Sequence, residues 1–268
     1  MDARSFLGIE PTADPRRWRL PVTPGLCSFS GNLFGGAALG AGIEAMEQVT
    51  GRSVLWATAQ YISYTPADTV VELEVVVPAQ GNVVSQARVI GRVGDTEVFT
   101  VSGAMGSRPG MGEHRFADRP LVRRPMDCPE RQVRIPGQKS INQHLEMRVA
   151  KGRSWDELDG APTGDGRTAL WARMPGVDVM SASALAILGD WVPHGVAQAL
   201  GQQSGGSSLD NTLRVVKLVP TEWVLLDIRV HAVHDGFAHG AVYQWAMDGT
   251  LLATASQSVK VRYPSDPS

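Results

Sequence analysis

Two cysteines in 268 residues, Cys27 and Cys128, are too few and too far apart for a disulfide framework or a paired-thiolate metal knuckle. A reducing compartment is the simplest expectation. Neither charge dominates: 25 Lys and Arg stand against 27 Asp and Glu, a net of −2. That balance gives no sign of the clustered basic surface of a nucleic-acid groove. No apolar run approaches the ~20 residues of a bilayer-spanning helix. The opening "MDARSFLGIEPTADPRRW" lacks the basic-then-apolar order of a secretory leader. The expectation is a cytoplasmic protein with no nucleic-acid partner and no membrane span. Also missing are a G-x-S-x-G elbow, a Walker loop, an H-E-x-x-H helix and a dinucleotide fingerprint. The six histidines show no ligand spacing, and neither cysteine has a paired histidine. No metal and no cofactor are therefore expected.

What is present is an ordinary globular composition, 43% hydrophobic and 19% charged, in a chain that suits one large domain or two small ones. Two passages decide between these. "GDTEVFTVSGAMGSR" (Gly94 to Arg108) and "DGTLLATASQSVKVR" (Asp248 to Arg262) place Thr96 on Thr250, Thr100 on Thr254 and Ser102 on Ser256, an offset of 250 − 96 = 154. The same offset carries Pro66 onto Pro220, Gly51 onto Gly205 and Gly35 onto Gly189. A period this long indicates two copies of a domain and not a solenoid.

Each copy opens with a small-residue helical stretch, "GNLFGGAALGAGIEAMEQVTG" and "MSASALAILGDWVPHGVAQALG". Pro193, with no N–H to donate, should kink or restart the second. Extended segments follow, at Leu55–Tyr64, Val70–Val77, Val83–Arg92 and Glu97–Met105 in copy one. Those of copy two are Asn211–Val219, Trp223–Val233, Ala238–Met247 and Leu251–Val261. Valine-rich alternation and turns such as "HDG" and "MDG" mark adjacent antiparallel strands. One helix followed by a long sheet packs economically when the sheet wraps the helix, and two such units pair to enlarge a small core. The boundaries read as 1–106, a connecting segment 107–137, and 138–268. The run "RPLVRRP" with "RQVR" after it, interrupted by Pro, reads as a solvated linker.

"LFGGAALGAGI" with "AQYISYTPAD" resembles the first half of type II acyl-CoA thioesterases, which are tandem hotdog proteins. "SLDNTL" and "DGTLLATASQ" resemble the two second-half motifs that carry that family's catalytic Asp and Gln. The likeness covers roughly residues 33–105 and 168–262. It implies an α+β double hotdog, each unit an antiparallel sheet around a central helix, that hydrolyses an acyl-CoA to free acid and CoA. Coenzyme A enters only as part of the substrate.

Alternation puts Gln257 on the same face as Leu251, Ala253, Ala255, Val259 and Val261, so its amide needs a buried partner. It either bonds nearby backbone or orients a water at the thioester. Asp210 either closes the "GGSSLD" loop or serves as general base with Gln257. Both fall on unlike residues in copy one, Gln257 on Gly103, so one active site per chain is expected. The family's third residue, a threonine, falls on or near His231, which is either an assisting group or a solvated surface histidine. Gly35 and Gly36 open a helix whose free N–H groups would hold the thioester oxygen, or they serve close helix–sheet packing. Asp190, inside the second helical stretch, reads as structural. The alternatives are a hotdog enoyl-CoA hydratase or dehydratase, and a non-catalytic acyl-CoA or acyl-carrier-protein binder. Exposed sheet edges suggest a homodimer or larger homo-oligomer.

Overall fold

Strands form where the sequence alternates. In the computed structural model, which describes residues 1–132, 139–177 and 180–263, the first half holds β1 (Glu10–Pro11), β2 (Arg17–Val22), β3 (Val54–Tyr61), β4 (Thr69–Gln80), β5 (Val84–Val93) and β6 (Thr96–Gly106). The second holds β7 (Glu146–Lys151), β8 (Arg167–Arg173), β9 (Gly205–Ser208), β10 (Asp210–Val215), β11 (Val224–His234), β12 (Phe237–Ala246) and β13 (Leu251–Arg262). They form one sheet in the order β1-β2-β4-β5-β6-β3-β10-β13-β12-β11-β8-β7, antiparallel throughout, with β9 paired to β13. The second half of that order is the mirror of the first. The eight expected strands all appear. The short strands β1, β2, β7, β8 and β9 were not foreseen: β2 is brief and contains Pro21, and β8 is buried on both faces, which erases alternation.

The halves join through β3 and β10. Thr58 faces Thr212, and their hydroxyls bond at 2.9 Å. These residues are 154 apart, the offset of the duplication. Equivalent residues of the two copies therefore meet across a local two-fold axis.

After a short turn of helix, α1 (Ala3–Leu7), the first central helix α2 spans Gly35–Thr50 and is buried on every side from Gly36 to Met46. A helix with no polar face must be enclosed, and the first half-sheet with its neighbours encloses it. The second helical stretch divides into α3 (Ala182–Gly189) and α4 (Val192–Leu200), with Pro193 in the first turn of α4. In a continuous helix the Pro193 ring would clash with the Gly189 carbonyl and offer it no N–H, so the chain leaves the helix at Asp190 and Trp191.

The connecting segment departs from expectation. Its described part lies on the outer face of the second half-sheet. There the Arg119 guanidinium sits 5.5 Å from the Trp171 ring centre, and Trp171 Nε1 donates to the Arg123 carbonyl at 2.9 Å. Guanidinium groups stack readily on indoles, so Arg119 covers Trp171 and Arg115 lies over Trp245, while Arg115, Arg123 and Arg124 keep the solvent exposure expected of a linker. The expected border at 137 and 138 lies outside the described residues. Cys27 and Cys128 are free and buried. Among the described residues no helix is long and apolar enough to cross a membrane.

The paired threonines satisfy each other, so removing one strands its partner. Thr58→Val or Thr212→Val alone should each cost about 1 kcal/mol of stability. The double variant should cost less than their sum, which a denaturant-unfolding cycle measures.

Candidate active site

The break between α3 and α4 frees Asp190 from the helix and turns its carboxylate toward the other half. Oδ2 accepts the Gly36 N–H at 2.6 Å, and Oδ1 accepts from Gln257 Nε2. Gly36 lies in the first turn of α2, where unpaired N–H groups and the helix dipole favour a negative charge. The same Nε2 donates to Ser208 Oγ at 3.0 Å, and Gln257 Oε1 accepts the Val192 N–H at 3.1 Å. Every polar atom of the Gln257 amide is engaged, as a 3% exposed amide requires. Because Ser208 Oγ accepts from Gln257, its own hydrogen remains free to donate.

Asp190, Ser208, Gly35 and Tyr61 stand on the wall of a cavity of about 640 Å³ at the seam. Gln257 and Gly36 hold the wall from behind. A Cβ added to Gly35 would lie 2.8 Å from Asp190 Oδ2 and 2.8 Å from Tyr61 Oη. Any side chain there would collide with both, so glycine is what lets Asp190 and Tyr61 close on the start of α2. A Cβ on Gly36 would instead meet the Ala186 carbonyl oxygen at 2.7 Å, so close helix packing requires glycine there. The Tyr61 hydroxyl is buried and, beside the Asn211 amide, makes no hydrogen bond of normal geometry. Burial, and after it the Asp190 charge, holds its pKa well above the usual phenol value, so it remains a donor. Burial pushes Asp190 up to about 6, against the lowering effect of the Gly36 N–H and Gln257.

The expected pair, Asp210 with Gln257, is not brought together. Asp210 Oδ1 accepts the Ser258 N–H at 2.7 Å, fastening the start of β10 to β13, and the Gln257 amide is fully committed elsewhere. His231 is also displaced from the site: it is the exposed extra residue of a bulge in β11, between Val230 and Ala232. Gly35 lines the cavity, whereas the Gly36 N–H is taken by Asp190 and does not point to a ligand. Asp190, Ser208 and Tyr61 were missed. Asp190 was legible in two signals, the helix-breaking Pro193 three residues later and the duplication, which sets it opposite Gly36. Tyr61 had no local signal.

Copy one cannot repeat the site. At the 154 offset Asp190 corresponds to Gly36, Gln257 to Gly103 and Ser208 to Val54. A Cβ on Gly103 would meet the Trp56 carbonyl oxygen at 2.7 Å and the Met46 methyl at 3.2 Å. No side chain fits there.

A family profile for the acyl-CoA thioesterase C-terminal domain matches residues 125–261, just over half of the chain. A candidate thioesterase from Novosphingobium aromaticivorans DSM 12444 is 31% identical, covers 93% of this chain and 97% of its own, and superposes with a TM-score of 0.84. The chain belongs to the acyl-CoA thioesterase family. A hot-dog-fold protein of unknown function from Alicyclobacillus acidocaldarius (21% identity, 94% and 96% coverage, TM-score 0.83) shares the fold with this family member. So does the acyl-CoA thioesterase II TesB2 of Mycobacterium marinum (19% identity, 98% and 99% coverage, TM-score 0.75). The fold is the double hotdog, and the chain is type II acyl-CoA thioesterase-like. A comparison with curated proteins gives no match.

Asp190 has a definite stability signature. Its value is 3.8 in the absence of burial and about 6 in the folded thioesterase-family chain. Between these the folded state binds more protons than the unfolded, so this group's contribution to stability falls as pH rises through the window and levels off above it. In urea unfolding at pH 4 and pH 7, the wild type should lose stability relative to Asp190→Asn. A pH-independent difference would contradict the assignment.

Proposed function

We propose that this protein hydrolyses acyl-CoA thioesters with Asp190 as the base that activates water. The observation that carries the reading is the meeting of Asp190, Gln257 and Ser208 on the wall of one cavity, in a chain of the acyl-CoA thioesterase family. Water placed beside Gly35 gives a proton to Asp190 as its oxygen bonds the thioester carbon. The carbonyl electron pair moves onto oxygen, then returns as the C–S bond breaks. The departing thiolate takes up the proton that Asp190 accepted, which leaves a free acid and a thiol and restores the base. Gln257 fixes the orientation of Asp190 and Ser208, and the Ser208 hydroxyl is left to hold the water. The Tyr61 hydroxyl supplies the hydrogen bond to the developing oxyanion. Gly35 supports this by lacking a side chain, which lets Asp190 and Tyr61 both approach the start of α2. The hydratase alternative is less well supported, since Asp190 bonds an amide and a backbone N–H and no histidine.

Free-thiol release over an acyl-CoA panel tests this. Asp190→Asn should lower kcat by roughly 10²–10⁴-fold, the range for loss of a general base. Asp210→Asn should stay within a few-fold of wild type. Equal losses in both would return the role to the loop aspartate. Tyr61→Phe should lower kcat by about 10²-fold or more. The kcat/KM profile should rise with pH through about 6 as Asp190 ionises, and Asp190→Asn should lack that limb. Stabilisation by acyl-CoA without thiol release would instead favour the binding-protein alternative.

A further inference from the structure

Arg131 enters the cavity from the segment that joins the two halves. Its N–H donates to the Met147 carbonyl at 2.9 Å, and Glu130 beside it forms a bridge with Arg148, which fastens the segment to edge strand β7. The guanidinium lies 4.7 Å from the Trp191 ring centre, and Nη1 donates to Asn142 Oδ1 at 3.2 Å. Arg131, Asn142, Trp191 and His194 all line the cavity that Asp190 faces. Among the described residues no carboxylate forms an ion pair with Arg131. The nearby acids are engaged: Glu130 with Arg148, and Glu157 with the Ser154 N–H. Burial pulls Arg131 down to about 10. Burial and then the Arg131 charge pull His194 down to about 3, so its imidazole is neutral and can donate one hydrogen bond.

A largely buried guanidinium with one neutral hydrogen-bond partner among the described residues is a costly arrangement, and its donors form a planar fork that fits a carboxylate. We propose that Arg131, with Asn142 and His194, forms a subsite for a carboxylate at the far end of the acyl group. The substrate class is then an acyl thioester bearing a second carboxyl. This rests on the hydrolase reading above. An acyl carboxylate fits better than a phosphate of coenzyme A because of position. The guanidinium lies over the ring of Trp191, the residue that follows Asp190, and lines the same cavity as Asp190. The phosphates hang beyond the pantetheine arm, on the order of 15 Å from the sulfur when extended.

The test uses pairs of acyl-CoA thioesters of equal length, one ending in methyl and one in carboxylate. At one or more chain lengths, the kcat/KM ratio should favour the carboxylate member roughly 10-fold or more, as expected for a charged hydrogen-bonded pair. Arg131→Gln should collapse that ratio, and Arg131→Lys should restore part of it. The same pairs as N-acetylcysteamine thioesters, which carry no phosphate, should keep the preference. A wild-type preference for methyl at every length overturns the proposal, as does a ratio unchanged by Arg131→Gln. A preference that vanishes with the truncated thiol assigns Arg131 to phosphate and also overturns it. Binding of the free acids separates this inference from the hydrolase reading. Adipate should raise the wild-type Tm more than hexanoate does, and this difference should be absent in Arg131→Gln. Equal shifts in the wild type count against the subsite even if no thioester is cleaved or the variant does not fold.

Discussion

One buried negative charge organises the centre of this molecule. Asp190 belongs to the second half, yet the group that stabilises its charge, the N-terminal turn of α2, belongs to the first. The carboxylate is therefore an interface contact and, on the proposed chemistry, the base as well. Its elevated pKa measures the compromise: burial opposes ionisation, and the Gly36 N–H and Gln257 amide restore enough support for a charged base near neutral pH. Moving Asp190 away from Gly36 would remove one of the contacts between the halves and, on the proposed chemistry, the support of the base.

The helix break is what makes that geometry available. Inside a continuous helix, Asp190 would be committed to the α3–α4 axis. Pro193 ends the regular backbone just before α4, and the chain bends at the residue whose side chain must reach across. Gln257 completes the arrangement from the neighbouring sheet. Its three bonds fix Asp190, Ser208 and the first turn of α4 relative to one another.

Much of the fold was legible because it follows from period. Alternation located eight strands to within a few residues, and the repeated "DTEVFTVSG" and "GTLLATASQ" passages exposed the duplication. Gln257 was legible for the same reason, as an amide on an apolar face, a position that Gln244 of β12 shares. Asp210 and Asp190 show where local reasoning stops. Asp210 lies in a loop-to-strand motif that looked catalytic, yet its carboxylate closes a sheet end. Asp190 looked like part of a helix because the effect of Pro193 was expected at the proline and not three residues before it. Tyr61 and Arg131 reach the cavity only through tertiary packing, from a strand of the opposite half and from a segment that read as linker. Neither has a neighbour in sequence that announces it.

The seam between β3 and β10 has two faces related by the local axis, and only one carries polar machinery. The other is occupied by glycine backbones and the Met46 methyl, with no space for an acid or an amide. On the proposed chemistry the catalytic stoichiometry is therefore one turnover centre for every two hotdogs. It is set by steric exclusion at the idle position and requires no communication between subunits.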